Sequence, residues 1–582
     1  NAWGSSTPSY TRLTTTNTAA DSIWISAVSG STAHKGFSNI HGSTFVTPGG
    51  MQIIASKITD DSKFAFNVSG DLSITSPGTG FDAPVNVDTD WTFGTTPASL
   101  LIGNAGTSGA NQNSADFSCS IALAATNFIK IYGGNMNFSA GNMTTSASGA
   151  PILIKATGYI LSGNGASVAS PKLFQTLNAP ITLWADADNL NAGHIFIGNY
   201  NKFASRGGRI TIAGGLDDGA ANSGISAAVV RTAGDGFPDG YAIAEASGNT
   251  VQTSGLWLGL KTELASSNGD IVVAGRGSQS ASAVSAEKGL WTDTITVNSG
   301  TGKIGMFGKA TSTAFGFSYA WYVIGGTAGA DGAVITSAST QPDAITILGD
   351  ASATTGTSSA GILTFSGKNG TTETGVKIAA TGVGGGVTMV GSSGSAAPAA
   401  NGDAVGNGVE LNYTEVLANG GPIYVEGKTN NATKAGISLG SRTSVTNNKI
   451  YFGARPSNPT GVTAMVSTSS SPITLVADMI YQNTASPSEF ATTGDILVKP
   501  LNNDFAGTFN NLGMNMGTTA SSITFGKDGN TGGITIGQSL TAGSITIKGG
   551  VVTASTALLT NSIVPRAGPI NIIATSSYTQ NS

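Results

Sequence analysis

The chain has 582 residues and a net charge of −5, and this length exceeds one ordinary hydrophobic core, so several domains or one repetitive body are expected. Gly contributes 82 residues and charged residues make up 10 % of the chain, where about 25 % is usual, a composition that excludes most cytosolic enzymes. The 27 Lys and Arg residues are scattered and no run of about 18 apolar residues occurs, so the sequence predicts neither a nucleic-acid partner nor a membrane-spanning helix.

The first 150 residues are the least regular part of the sequence. Clear strand patterns are few there, at residues 51–55 and 64–74. A solenoid end exposes unpaired backbone and an open core, so it needs a cap. We interpret residues 1–150 as an irregular N-terminal β region that caps a solenoid, with a separate β-sandwich as the alternative. The first residue is Asn rather than Met, which is typical of a secreted chain whose signal peptide has been removed.

Cys119 is the only cysteine, so no intrachain disulfide can form. It lies in the alternating run FSCSI, which predicts a buried position where the thiol behaves as a small apolar side chain. The histidines, His34, His41 and His194, lack the spacing of zinc ligands, and no zinc site is predicted from them.

Residues 151–582 repeat one short pattern. Two β-branched or large apolar residues separated by one position are flanked by Gly or small polar residues. Period-two alternation with Thr in the gaps predicts short strands with one buried face. Examples occur at residues 180–183, 209–212, 270–273, 344–347, 472–475, 522–525, 533–536 and 544–547.

The spacing of these strands indicates how they stack. Ile523, Ile534 and Ile545 follow one another at an interval of 11 residues, with Gly, Asn or Ser at the bends. Both the hairpins of a sandwich and the sides of a coiling solenoid fit such spacing. Hairpin signals such as Asn-Gly are infrequent and the repetition is long, which favours the solenoid. We predict an all-β fold in which residues 151–582 form a parallel β-helix (β-solenoid), with an assumed length of about 20 to 25 residues per coil.

A longer motif carries a family resemblance. Residues 179–189 read APITLWADADN, and residues 193–198 and 207–215 read GHIFIG and GGRITIAGG. This series resembles the repeats of large bacterial exoproteins of the filamentous-haemagglutinin-like class, in which an ITLWADxDN strand and turn precede a GGxIxIxGG coil. The resemblance extends over about residues 150–580 and implies a right-handed parallel β-helix on the cell surface, or released from it, that works in adhesion or assembly. Residues 1–150 lack the Asn-Pro-Asn-type motif of the family's secretion domain, so the secretion route stays open.

Acidic residues gather in Gly- and Asn-rich turns. Catalytic β-helices need two carboxylates within reach of one glycosidic bond, but Asp is also common in turns because it hydrogen-bonds the local backbone, so we assign no catalytic residue. Asp235 and Asp239 are candidate calcium ligands, because hard cations bind carboxylate and carbonyl oxygens of turns. A turn without a metal ion is the alternative. No other cofactor is predicted. The three acidic sets are Asp186 with Asp188, Asp217 with Asp218, and Asp235 with Asp239 and Glu245.

Four tryptophans are candidate platforms for sugar stacking, because an aromatic face packs well against a sugar ring. Packing within the protein is the alternative role for the same side chains. They are Trp184, Trp257, Trp291 and Trp321.

These observations predict a secreted, non-enzymatic structural protein of the bacterial cell surface. It would be a subunit of an extracellular filament or surface assembly, or an adhesin. A homo-polymer built through end-to-end contacts is the expected partner arrangement, with residues 1–30 and 565–582 buried between subunits, and cell-surface glycans are a further partner class. The alternatives are a β-helix that binds or degrades polysaccharide, as in a tailspike or lyase, and a calcium-tethered surface-layer protein.

Overall fold

The computed structural model describes residues 11–20, 22–27, 36–38, 43–59, 64–78, 80–105, 115–190, 193–219, 233–245, 253–278, 287–313, 316–325, 332–355, 358–365, 367–369, 372–394, 406–440, 448–455, 466–517, 519–554 and 568–580. These residues form strands, turns and bends, and none of them belongs to a helix. Within the same ranges there is consequently no helix of the length and apolarity that crossing a membrane requires.

The chain divides into two compact units. Unit 1 comprises residues 1–222, 231–243 and 262–269, and unit 2 comprises residues 223–230, 244–261 and 270–582. Each unit contains three main sheets, which we call the first, second and third sheets.

Unit 1 is built of short strands that return to the same three sheets in turn. Its first sheet has the order β2 (Ile23–Ala27), β5 (Met51–Ala55), β8 (Asp71–Thr75), β11 (Ser99–Ile102), β14 (Phe128–Gly133), β17 (Ile152–Ala156), β20 (Ile181–Ala185) and β23 (Ile210–Gly214). Its second sheet has the order β9 (Val85–Val87), β12 (Phe117–Cys119), β15 (Met136–Phe138), β18 (Ile160–Ser162) and β21 (Ile195–Ile197). Its third sheet has the order β13 (Leu123–Ala125), β16 (Met143–Ser148), β19 (Lys172–Leu177), β22 (Asn201–Ala204) and β26 (Glu263–Ala265). Outside these sheets lie a four-stranded sheet of β1 (Thr11–Thr14), β4 (Ser43–Thr47), β7 (Phe64–Val68) and β10 (Trp91–Phe93), and the pair β3 (Gly36–Ser38) and β6 (Lys57–Thr59). The short strand β24 (Ala242–Ile243) adjoins β23 in the first sheet.

Unit 2 has the same plan with more strands. Its first sheet has the order β27 (Ile271–Arg276), β30 (Ile304–Lys309), β33 (Ile345–Ala351), β38 (Val387–Ser393), β41 (Ile423–Thr429), β44 (Ile473–Val476), β47 (Asp495–Lys499), β50 (Ser522–Gly526), β52 (Ser544–Ala554) and β53 (Ile570–Gln580). Its second sheet has the order β25 (Ser254–Leu258), β28 (Glu287–Asp293), β31 (Phe317–Ile324), β34 (Ser358–Phe365), β39 (Val409–Leu411), β42 (Ile437–Leu439) and β45 (Ile480–Gln482). Its third sheet has the order β29 (Thr296–Asn298), β32 (Val334–Ser337), β37 (Val376–Ala380), β40 (Thr414–Ala418), β43 (Tyr451–Gly453), β46 (Ser488–Ala491) and β49 (Met514–Asn515). The remaining strands are the antiparallel pair β35 (Gly367–Asn369) and β36 (Thr372–Thr374), and the parallel pair β48 (Phe509–Asn510) and β51 (Ile534–Ile536), which joins the first sheet because β51 also pairs with β52.

In-register parallel stacking produces a continuous apolar core in each unit. In unit 1, Ile152 pairs with Ile181 and Ile181 with Ile210, and each is 0 % exposed. In unit 2, Ile304 pairs with Ile345 at the same burial. Each coil therefore buries only a few inward side chains, and its neighbours complete their burial. The predicted all-β, parallel β-helical fold is confirmed.

Parallel stacking continues across residue 150, where the sequence suggested a boundary. β14 and β17 pair in parallel, with Ile129 opposite Ile152. Earlier in the chain, β5 pairs with β8 and β8 with β11 in the same way. The named strand pairs among the described residues of 11–150 are all parallel, whereas hairpins of a sandwich would be antiparallel.

Coil length varies more widely than the sequence suggested. Ile304, Ile345 and Val387 occupy one register position in successive coils, so the assumed 20 to 25 residues per coil is wrong for this part of unit 2. The additional residues lie between the strands, because the strands themselves stay short. Long connections between strands alter the surface of a solenoid without disturbing the stacked core.

Candidate functional site

The acidic turn that suggested calcium binding is held together by hydrogen bonds to its own backbone. The Asp217 carboxylate accepts the N–H groups of Gly234 at 2.7 Å and Gly236 at 2.8 Å. Asp235 accepts the Phe237 N–H at 2.9 Å and lies 3.7 Å from the Arg209 guanidinium. The turn thus brings Asp217 and Asp235 together, but their oxygens face backbone N–H groups and the Arg209 guanidinium.

The carboxylates of Asp239 and Asp188 likewise accept backbone N–H groups. Asp239 is 1 % exposed and accepts the Gly219 N–H at 2.7 Å. Asp186 is 0 % exposed in a positive-φ turn, and Asp188 accepts the Leu190 N–H at 3.3 Å. Across the described residues, no three side chains of His, Cys, Asp or Glu are grouped so that they could hold a metal ion. The geometry of these carboxylates matches the turn-stabilising role that Asp commonly has.

Trp184 and Trp321 lie within the protein. Trp321 is 0 % exposed, and Trp184 is 3 % exposed and donates its indole N–H to the Gly215 carbonyl at 2.6 Å. The Lys155 ammonium lies 3.7 Å from the centre of the Trp184 ring. Burial closes the Trp321 ring to a sugar, and the Lys155 ammonium already occupies a face of the Trp184 ring.

Trp257 and Trp291 occupy the outer face of the second sheet in unit 2, where their strands pair side by side. Both are half-buried, and their rings stack at 5.2 Å between centroids. The Lys288 ammonium lies 3.6 Å from the centre of the Trp291 ring, and burial lowers the pKa of Lys288 to about 8. Each contact uses ring area that a sugar would need, so this geometry favours packing. The sequence analysis did not single out Lys288, because only the strand register shows that it lies beside the stacked rings of Trp257 and Trp291.

Cys119 and His194 are buried in unit 1. Cys119 is 2 % exposed, and burial raises the pKa of its thiol to about 11, which keeps it protonated and unreactive. His194 is 4 % exposed and stacks on Tyr159, and burial lowers the pKa of its imidazole to about 4. His34 and His41 lie outside the described residues.

The candidate site that remains is the last strand of the first sheet in unit 2. β53 is 11 residues long and pairs with β52 in parallel, with Ile545 opposite Ile570 and Ile547 opposite Ile572. Ile545 and Ile547 are 0 % and 1 % exposed, but Ile570 is 40 % exposed. Further along, Val552 is 0 % exposed and its partner Tyr578 is 46 % exposed. The inward apolar row therefore continues onto β53, and no further strand of the described residues covers it.

The backbone edge of β53 is equally open. Among the described strands β52 is its partner, so the N–H and C=O groups along the other edge face no strand. Natural proteins usually protect such edges with charged residues, Pro or short strands. β53 reads INIIATSSYTQ and contains no charged residue and no Pro. It is a long, uncharged edge with one register shift, between Ala574 and Ser577, and it is suited to receiving another strand.

Comparison with known protein families, characterised proteins and solved structures gives no match for this chain. The resemblance to filamentous-haemagglutinin-like exoproteins, and the handedness it implies, stay predictions.

Proposed function

We propose that this protein is a secreted, non-enzymatic structural protein of the bacterial surface, which forms an extracellular filament or surface assembly by association at its β-helix edges. The carrying observation is the uncovered inward row on β53, where Ile570 and Tyr578 are exposed although their partners on β52 are buried. A parallel β-helix presents strand edges wherever stacking stops, and a further strand would satisfy both the backbone groups and the apolar row.

The expected driving force is hydrophobic. Fully burying a large apolar side chain contributes about 1.5–3 kcal/mol, and Ile570, Ile572 and Tyr578 all face the open side of the core. Backbone hydrogen bonds along the strand would add direction and register. Few charges oppose the approach of two copies, since charged residues make up only 10 % of the chain.

Polysaccharide processing lacks comparable support. The carboxylates of Asp217, Asp235 and Asp239 accept backbone N–H groups, and the faces of Trp257 and Trp291 pack on each other. A calcium-tethered surface layer would need carboxylates gathered around a cation, whereas these ones stabilise turns.

A pair of charge substitutions on β53 tests the proposal. Ile572 aligns with buried Ile547 and faces the core row, whereas Ile573 aligns with Lys548 and faces outward, 49 % exposed. We expect Ile572→Lys to abolish assembly and Ile573→Lys to retain most of it, because only the first places an ammonium in the apolar contact. Assembly is measured by sedimentation velocity and negative-stain microscopy over a range of concentrations, and circular dichroism confirms that both variants are folded.

Wild-type protein that stays monomeric at every concentration would contradict assembly and favour an adhesin. Unchanged assembly of the Ile572→Lys variant would exclude β53 as the contact.

A further inference from the structure

A partner strand for β53 can be inferred from the first strand of the first sheet in unit 1. β2 is the first strand of the first sheet in unit 1 and pairs with β5; no second partner strand is found for it among the described residues. Ile23 is 4 % exposed, Ile25 is half-buried and Trp24 is 66 % exposed. β2 thus combines a core-facing row with an open edge and an exposed outer face.

β2 and β53 carry the same register pattern. β2 reads IWISA, and β53 begins with INIIA. The pattern of two apolar residues followed by Ala, each separated by one position, also occurs in β17 (ILIKA) and β20 (ITLWA). These two strands pair in register, with Ile152 opposite Ile181 and Ile154 opposite Leu183. The pattern therefore marks positions that stack on one another in successive coils.

We propose that β53 pairs in parallel with β2 of a second copy of this chain, with Ile570 opposite Ile23, Ile572 opposite Ile25 and Ala574 opposite Ala27. This inference rests on the proposed assembly and names its interface. It extends the buried row from Ile545 through Ile570 to Ile23 and then Met51, which is already the partner of Ile23. Neither strand segment contains a charged residue, so no charge is desolvated in the contact.

The polarity of the sheets explains why a second copy fits. β53 pairs with a strand that precedes it and β2 with a strand that follows it, so β53 can continue the parallel order with a strand such as β2, whereas two β53 strands would meet antiparallel. Such a contact is heterologous and leaves a free β2 and a free β53 on every new dimer. Addition therefore does not end at a dimer, and filaments result.

Engineered cysteines test the register directly. In this pairing Ser26 lies opposite Ile573, both exposed and on the outer face, and neighbouring parallel strands are about 4.8 Å apart, within the range for a disulfide. Cys119 is 2 % exposed and is replaced by Ser in all variants. Under mild oxidation, a mixture of Ser26→Cys protein and Ile573→Cys protein should give a covalent dimer, and the Ser26→Cys/Ile573→Cys double variant should give a ladder of multimers on a non-reducing gel.

A register control uses Asn571→Cys in place of Ile573→Cys. Asn571 faces the same side but is displaced from Ser26 by two residues, which puts the two Cα atoms about 8 Å apart, too far for a disulfide. We expect at least about a fivefold lower yield of covalent dimer from this mixture.

The outcomes separate the interface from the assembly. Filaments without the 26–573 cross-link, or equal yields from both mixtures, would overturn the β2–β53 pairing and leave the proposed function standing. A covalent dimer of the Ile573→Cys variant alone would also overturn it, because it indicates that two β53 strands meet. Absence of both filaments and cross-links would overturn the proposed function itself.

Discussion

Several ionisable side chains are buried although the chain carries few charges, and Glu287 is the clearest case. It begins β28, is 0 % exposed, and accepts the N–H groups of Thr311 and Ser312, each at 3.0 Å. Burial raises the pKa of its carboxyl to about 7, although these hydrogen bonds, one from Ser318 and the nearby Arg276 act in the opposite direction. The effect of burial on the Glu287 pKa is thus larger than the combined effect of the hydrogen-bond donors and Arg276.

The raised pKa of Glu287 predicts a pH dependence of stability. Between about pH 4.5 and 7 the folded carboxyl keeps its proton while the unfolded one has lost it. The folded state then binds more protons, so the contribution to the free energy of unfolding is full below pH 4.5 and is lost as pH rises to 7. Relative to wild type, Glu287→Gln should flatten this slope, because the amide does not titrate. Urea unfolding at pH 4.5, 5.5, 6.5 and 7.5 measures it, and identical slopes for both proteins would contradict the prediction.

At the scale of strands, glycine columns set how closely two sheets approach. Gly308, Gly349 and Gly391 are successive register partners in the first sheet of unit 2. A Cβ on any of them would lie closer than 3.0 Å to a backbone oxygen in the second sheet or directly beside it, which at Gly349 is that of Gly361. The backbones of the two sheets are therefore in direct contact at these positions. Only glycine fits there, because any other residue would place a Cβ against the facing backbone.

Gly349→Ala should destabilise unit 2 because the added methyl group meets rigid backbone rather than a movable side chain. Overpacking of this kind costs about 1–3 kcal/mol. The control is Gly507→Ala, where a Cβ would meet nothing within 4 Å and which should be neutral or slightly stabilising. Thermal unfolding followed by circular dichroism compares the two. Equal midpoints for both variants would mean that the sheets can separate at little cost.

The sequence predicted which strands exist more accurately than how they follow one another. Alternation identified β50, β51 and β52, and the interval of 11 residues fitted either the hairpins of a sandwich or successive sides of a solenoid coil. In the structure Ile523 pairs with Ile545, whereas Ile534 pairs with Val552, so β50 and β51 lie along the same long strand β52. Period-two patterns report which side chains face the core, but they carry no information about where a chain turns between sheets.

Site chemistry was less accessible from the sequence for a related reason. An aspartate at position 235 could either bind calcium or stabilise a turn, and the residue type alone does not distinguish these two roles. The structure does, because the Asp235 oxygens face the Phe237 N–H and the Arg209 guanidinium. Likewise, Trp257 and Trp291 are distant in sequence and meet because their strands share a register. Contacts between coils depend on loop lengths, which alternation does not encode.

At the scale of the whole molecule, the proposed assembly joins chemically distinct edges through uncharged strands. The chain carries 27 basic and 32 acidic residues, so copies repel one another only weakly. Association through β53 would bury isoleucine and tyrosine side chains, and this force does not depend on counter-ions. Screening by salt acts on charge interactions beyond about 8–10 Å at physiological ionic strength, and none is needed here.

We therefore expect filament mass to change less than about twofold between 50 and 500 mM NaCl and to persist after addition of a calcium chelator. Cooling should reduce it, since hydrophobic association weakens at low temperature. Pelleting assays at fixed protein concentration measure each effect, with the Ile572→Lys variant as the blank. Filaments that dissolve only with the chelator would instead support the calcium-tethered surface layer. The contact would then involve carboxylates in turns, such as Asp235 and Asp239, rather than β53. Dissolution by salt alone would indicate that ion pairs, rather than the exposed strand edge, hold the subunits together.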